Sequence, residues 1–240
     1  MRILALGTLI LATSAWSTHA CTTSADCDDH NVCNGAETCQ AGACVFGRPI
    51  TCDDGDPCTI DSCDPIAGCT FTSANGCLIS GKLLKLQNGK YLRLGLQTGQ
   101  DMAGTAFPAN NTADDPVVNA ATLRVFTTAG DAFDNTYAMP TSNWSYIGAP
   151  GENRGYIYKD FHNLVGPINV CAIKNGRKNK IKARGAALNF SLNGDPEPVQ
   201  IVLQFGFTGR RYCLAFGGRT KFSPGVRFGA VAAPAPTVCP

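Results

Sequence analysis

Lys174, Arg177, Lys178, Lys180, Lys182 and Arg184 put six cations into the eleven residues from Lys174 to Arg184. Read as a strand that follows a turn, Lys178, Lys180, Lys182 and Arg184 project from one face, and Ile181 and Ala183 from the other. Cations about 7 Å apart on one face form a linear positive strip. Its chemistry is the binding of a polyanion: an acidic polysaccharide, the phosphates of a lipopolysaccharide, or extracellular DNA. No aromatic residue interleaves with the cations, so stacking on single-stranded bases is not expected. Two other readings use the same residues. Lysines on an edge strand keep one sheet from joining another, and the strip could dock an acidic segment of this chain or of a neighbour.

A second cluster is acidic. Asp53, Asp54 and Asp56 surround Gly55, with Asp61 and Asp64 close in sequence. Hard carboxylate oxygens in a tight loop make calcium the best metal candidate, although the spacing is not that of an EF-hand. The rival reading is that these acids cap turns through local backbone hydrogen bonds. No other cofactor is expected. Catalytic signatures are absent: there is no Gly-x-Ser-x-Gly, no His-Glu-x-x-His and no phosphate-binding glycine loop. His30 and His162 are the only histidines after residue 20. A non-enzymatic protein is therefore expected. The alternative is a secreted hydrolase that gathers His162, a carboxylate and a hydroxyl from distant loops.

Cysteine chemistry sets the compartment. The chain holds 13 cysteines, and ten of them (Cys21, Cys27, Cys33, Cys39, Cys44, Cys52, Cys58, Cys63, Cys69 and Cys77) crowd into residues 21–77. That segment has too few large apolar residues to fold by burial alone, so cross-links must replace a core. No Cys-x-x-Cys occurs, which favours disulfides over zinc. Met1-Arg2, an apolar run from Ile3 to Trp16 and the small residue Ala20 have the three-part form of a secretory signal, with cleavage expected after Ala20. Cys21 is expected to be a disulfide partner, not a lipid anchor. No stretch is long enough for a spanning helix. A secreted or cell-surface location follows, with an oxidising environment and no cytosolic life.

The net charge of +2 conceals a division. Residues 21–77 hold nine acids and one base, Arg48, for −8; residues 78–240 hold eighteen bases and nine acids, for +9. Cysteines become sparse at the same point. Three parts follow: a signal peptide at 1–20, a cysteine-rich acidic module at 21–77 and a basic domain at 78–240.

The acidic module repeats itself. Cys27, Cys33 and Cys44 recur 25 residues later as Cys52, Cys58 and Cys69, with Gly, Asn, Asp and Pro in the segments between cysteines. Ten cysteines admit hundreds of pairings, and the sequence leaves them open. Cys58-Thr59-Ile60-Asp61-Ser62-Cys63, preceded by Cys52-Asp-Asp-Gly-Asp56, resembles the slime-mould cysteine-rich repeat of the CTDC type, which also occurs in secreted proteins of myxobacteria. That resemblance implies an extracellular-matrix or surface protein and carries over no catalytic residue. The first copy departs from it at Cys33-Asn-Gly-Ala-Glu-Thr-Cys39. A second resemblance covers most of residues 82–240. Gly155-Tyr-Ile-Tyr-Lys-Asp160, Arg211-Tyr-Cys213, Phe216-Gly-Gly218 and the ending Ala233-Pro-Ala-Pro-Thr-Val-Cys-Pro240 are similar to an uncharacterised module of secreted delta-proteobacterial proteins. It implies export and no activity.

The basic domain reads as mainly β. Strands are expected at 82–86, 90–96, 122–127, 144–147, 155–159, 168–174, 178–184, 187–192, 199–207 and 210–216, with no long amphipathic helix. Asn175-Gly176 and Asn88-Gly89 each predict a two-residue hairpin turn. Many short strands with tight turns point to an antiparallel β-sandwich or barrel-like domain after a small, irregular, disulfide-rich module. Of the three remaining cysteines, Cys213 is expected to pair with Cys239 and pin the Pro-rich tail. Cys171, in the apolar run Val170-Cys-Ala-Ile173, is expected to be a free, buried thiol. The function expected is structural or adhesive, in a cell envelope or matrix. The partners are polyanions or other surface proteins.

Overall fold

A computed structural model describes residues 20–74, 76–99, 107–177, 179–206 and 209–240. The expected signal sequence, up to residue 19, and Lys178 lie outside the described residues. The chain divides into two compact units. The first runs to Asp54 and includes Asp61–Phe71; the second comprises Gly55–Ile60 and Thr72–Pro240.

The first unit is held by cross-links. Strands β1 (Thr38–Gln40) and β2 (Ala43–Val45) pair antiparallel around a tight turn. Cys27–Cys44 and Cys52–Cys69 are the same bond in the two repeat copies. Cys33–Cys63 joins one copy to the next, and Cys21–Cys39 ties the first described residues to β1. The Cys21 sulfur is thereby committed to Cys39. Asp61–Phe71 of this unit are the turn end of a hairpin formed by β3 (Thr59–Asp64) and β4 (Gly68–Ser73). Asp64 caps its turn, accepting from the amides of Ile66 and Ala67 at 2.9 and 2.7 Å.

The second unit holds two facing sheets. The larger contains β10 (Trp144–Tyr146), β11 (Gly155–Lys159), β12 (Ile168–Lys174), β13 (Lys180–Arg184), β7 (Leu92–Thr98), β6 (Gly81–Asn88), β17 (Arg227–Ala233) and β16 (Thr220–Ser223), in that spatial order and antiparallel throughout. The smaller contains β5 (Cys77–Leu78), β15 (Arg211–Phe216), β14 (Val199–Phe205), β8 (Ala121–Thr127) and β9 (Phe133–Met139). Among the described strands only the two-residue β5 runs parallel to its neighbour.

The core lies between the sheets. Leu84, Leu86, Leu94, Leu96, Ile173 and Ile181 come from one inner face, and Leu123, Val125, Ile201, Leu203 and Leu214 from the other. Trp144 links the layers, with its ring centroid 5.5 Å from that of Tyr158 and 6.3 Å from that of Phe205. A mainly β, sandwich-like architecture follows from the alternation along each strand.

Several local expectations need correction. Residues 187–192 are not a strand: Leu188, Phe190 and Leu192 are buried alternately, but Asn189 is left-handed and no strand among the described residues pairs with them. The carbonyl of Leu188 accepts from the Tyr137 hydroxyl instead of a ladder amide. Asn88-Gly89 does not form the expected two-residue turn. Asn88 stays in β6 because its amide donates to Val226 in the β16–β17 turn, and the connection runs through residues 89–91. At Asn175-Gly176 a turn does form, with the Arg177 amide donating to Lys174, but Gly176 alone has a positive φ, +61°, so it is not the type I′ turn that the Asn-Gly pair predicts. Asn179 is buried beyond it, accepting from the Lys174 amide at 2.8 Å, and delays β13 to Lys180.

Asp160 anchors the β11–β12 loop. It is 4% exposed, and its carboxylate accepts from the amides of Leu164 and Val165, both at 2.9 Å, and of Gly166 at 3.4 Å. Burial pushes its carboxyl up, but the amides outweigh that and hold it below the ordinary carboxylate range. A depressed folded value contributes stability that is present in full above the unfolded pKa of about 3.9 and is lost as pH falls through the folded one. Asp160→Ala is expected to cost roughly 1–3 kcal/mol at neutral pH, with Asp160→Asn intermediate. Both variants should lose less stability than the wild type on acidification, as read by denaturant melts at neutral and acidic pH.

Candidate functional site

The structure places the expected strip in the middle of the larger sheet. Lys180, Lys182 and Arg184 point outward from β13 and are exposed, whereas Ile181 and Ala183 are buried. β13 has β12 on one side and β7 on the other. It is not an edge strand, so protection of an edge does not explain its lysines. Lys174 and Arg177 fall elsewhere. They line a hollow of about 370 Å³ with Glu152, Asn153 and Arg154, and Arg154 pairs with Glu152 at 3.7 Å.

The strip is part of a larger surface, which the sequence hides because its members come from separate strands. The eight strands carry Lys82, Lys85, Arg93, Lys159, Lys174, Lys180, Lys182, Arg184, Lys221 and Arg227, and no Asp or Glu. All ten are exposed. Among the described residues none of them makes an ion pair. Arg184 faces Arg93 directly across the β13–β7 ladder. Like charges opposed in a sheet are destabilising. On the smaller sheet, by contrast, Arg124 is neutralised by Asp134 through two hydrogen bonds of 2.7 and 2.6 Å.

Part of the outer face of the smaller sheet is covered. Cys213 is bonded to Cys239, and both pack with Phe126, Val202 and Leu78. The tail from residue 234 onward is thus held over that face, while residues 230–233 belong to β17. Cys171 is free and fully buried on the inner face of β12. Burial pushes its thiol well above the usual range, which keeps it in the unreactive neutral form.

The acidic candidates separate. Asp53, Asp54 and Asp61 bring one carboxylate oxygen each within 4.8 Å of the others. Asp56 is not among them. It caps its own turn, accepting from the Cys58 amide at 2.8 Å. The three clustered acids are exposed or half-buried, and the Asp54 amide donates to Asp61 at 3.4 Å. His162 is exposed at the head of the loop that Asp160 anchors, where the Asp160 oxygens are occupied by backbone amides.

The repeated bonds Cys27–Cys44 and Cys52–Cys69 show a duplicated cysteine framework. Residues 51–73 match the family described as the Dictyostelium (slime mold) repeat. No curated protein matches the chain, and no solved structure does. The slime mold repeat thus accounts for the second cysteine copy alone, and the cationic sheet lies outside the matched residues. No helix among the described residues is long and apolar enough to cross a membrane.

Proposed function

We propose that the protein is secreted after cleavage behind Ala20 and acts as a non-enzymatic, structural or adhesive component of a cell envelope or extracellular matrix. Its basic unit holds an acidic polymer on the outer face of the eight-stranded sheet. The observation that carries this reading is the segregation of charge: ten exposed cations and no carboxylate on one sheet. A face of one sign raises the local concentration of anionic polymer and speeds its capture. Opposed arginines on adjacent strands cost stability in the free protein, and an anion between them relieves that cost. The slime mold repeat and the five disulfides that begin between Cys21 and Cys58 support an oxidising, extracellular setting.

Affinity should fall steeply with salt, because each neutralised cation releases counterions from the polymer. Changing Lys180, Lys182 and Arg184 together to Gln should flatten the slope of log affinity against log salt by about 2–3 on a nucleic-acid probe. Stability should stay within about 0.5 kcal/mol, since these are exposed side chains. A wild-type protein that binds no acidic polymer at low salt would sink the reading. For processing, intact-mass analysis of the exported protein should place the first residue at Cys21, without an acyl adduct; a retained leader or a lipid would contradict it.

A further inference from the structure

The outward residues of the eight-stranded sheet form a regular row when followed across the strands. Lys182 of β13 faces Gly95 of β7, Gly95 faces Lys85 of β6, Lys85 faces Gly229 of β17, and Gly229 faces Lys221 of β16. Lysine and glycine alternate. Strands lie about 4.8 Å apart, so the lysines recur about every 10 Å and span about 20 Å in all.

The glycines are not required by the fold. Glycine inside a strand weakens it and otherwise marks a bulge, a bend or the close approach of a ligand. The pairing is regular through both positions. Neither has a positive φ. A Cβ at Gly95 would meet nothing within 4 Å, and one at Gly229 would meet only two backbone oxygens, at 3.9 and 4.0 Å. Side chains would fit at both places, yet none is there. The result is a gap between successive lysines. At Gly229 the gap opens into a groove of about 680 Å³, bounded by Lys85, Lys221 and Arg227 and walled by the apolar side chains of Leu83 and Val231.

We propose that this row is a track for a linear acidic polysaccharide with one carboxylate per disaccharide. The chain crosses the strands, each carboxylate sits on a lysine, and the intervening sugar lies over a glycine with its C–H face against the exposed backbone. Two strand spacings, about 10 Å, match the length of one extended disaccharide. Three lysines then take three successive repeats, a hexasaccharide. DNA, with one charge per about 1.7 Å of axis, does not need the gaps. The assignment rests on the polyanion reading and narrows it to one class of ligand.

The test separates charge from shape. Gly95→Thr with Gly229→Thr fills the row, leaves the net charge unchanged and suits a strand. The probes are a hyaluronan hexasaccharide and a short DNA duplex, titrated against the full mature chain at low salt. The Thr pair should bind the hexasaccharide at least tenfold more weakly and keep its affinity for DNA. Lys85→Gln, Lys182→Gln and Lys221→Gln together should weaken both. If the Thr pair binds the hexasaccharide like the wild type, or loses both ligands equally, the track is wrong. A wild type that binds DNA but not the hexasaccharide also overturns it and leaves the polyanion reading standing; binding of neither removes that reading as well. Thermal melts establish that the variants are folded. Should the Thr pair melt early, Gly95→Ala with Gly229→Ala, which adds one methyl group at each open position, should still show a selective loss for the hexasaccharide.

Discussion

Strand β13 can take only one register in its sheet. Ile181 and Ala183 are buried against the smaller sheet, and Lys180, Lys182 and Arg184 face out. A slip of one residue would exchange the two sets. It would place three cations in an apolar layer that contains no carboxylate from this sheet. Unpaired charges there would cost several kcal/mol each. The same constraint passes to β7 and β6, whose buried leucines fix the outward positions of Arg93 and Lys85. The inner core therefore determines the pattern of the outer surface. A charged face of this kind needs no pocket or hinge, only a sheet whose register cannot drift.

The two units achieve fixed geometry by different means. The cysteine-rich unit has exposed large apolar residues such as Ile66 and Phe71 and little to bury. Its four disulfides, Cys21–Cys39, Cys27–Cys44, Cys33–Cys63 and Cys52–Cys69, do the work of a core. The β-rich unit has a core of aliphatic and aromatic residues from two sheets. It uses Cys213–Cys239 to hold the tail over the outer face of the smaller sheet. On the smaller sheet Arg124 is paired with Asp134, whereas the ten cations of the larger sheet make no ion pair among the described residues.

Much of the strand pattern was legible because burial and alternation coincide. The ranges expected for β11 and β12 agree with the structure at both ends, and β8 and β14 differ by one or two residues at one end. Strand β9 was missed because Asp134, Asn135 and Thr136 interrupt its apolar positions. Strand β17 was hidden by its alanines and by the proline-rich segment after it. The reading of 187–192 failed for the opposite reason. Its alternating burial is real, but the segment is satisfied by side chains and pairs with no strand. The cationic strip on β13 was visible locally. Its extension to Lys85, Arg93, Lys221 and Arg227 was not, because cross-strand neighbours such as Lys85 and Gly229 lie far apart in the chain and only the pairing order brings them together. The alternation of lysine with glycine is likewise a property of the sheet and not of any one strand.

The central claim is that ligand lies on the outer face of the eight-stranded sheet. Backbone amide chemical shifts during titration with an acidic oligosaccharide test it most directly. The account predicts shifts concentrated in β6, β7, β13, β16 and β17, strongest at Lys85, Gly95, Lys182, Lys221 and Gly229. The smaller sheet and the disulfide-rich unit should stay unchanged. Shifts centred on Arg177 and Glu152, or on the tail around Cys239, would contradict it.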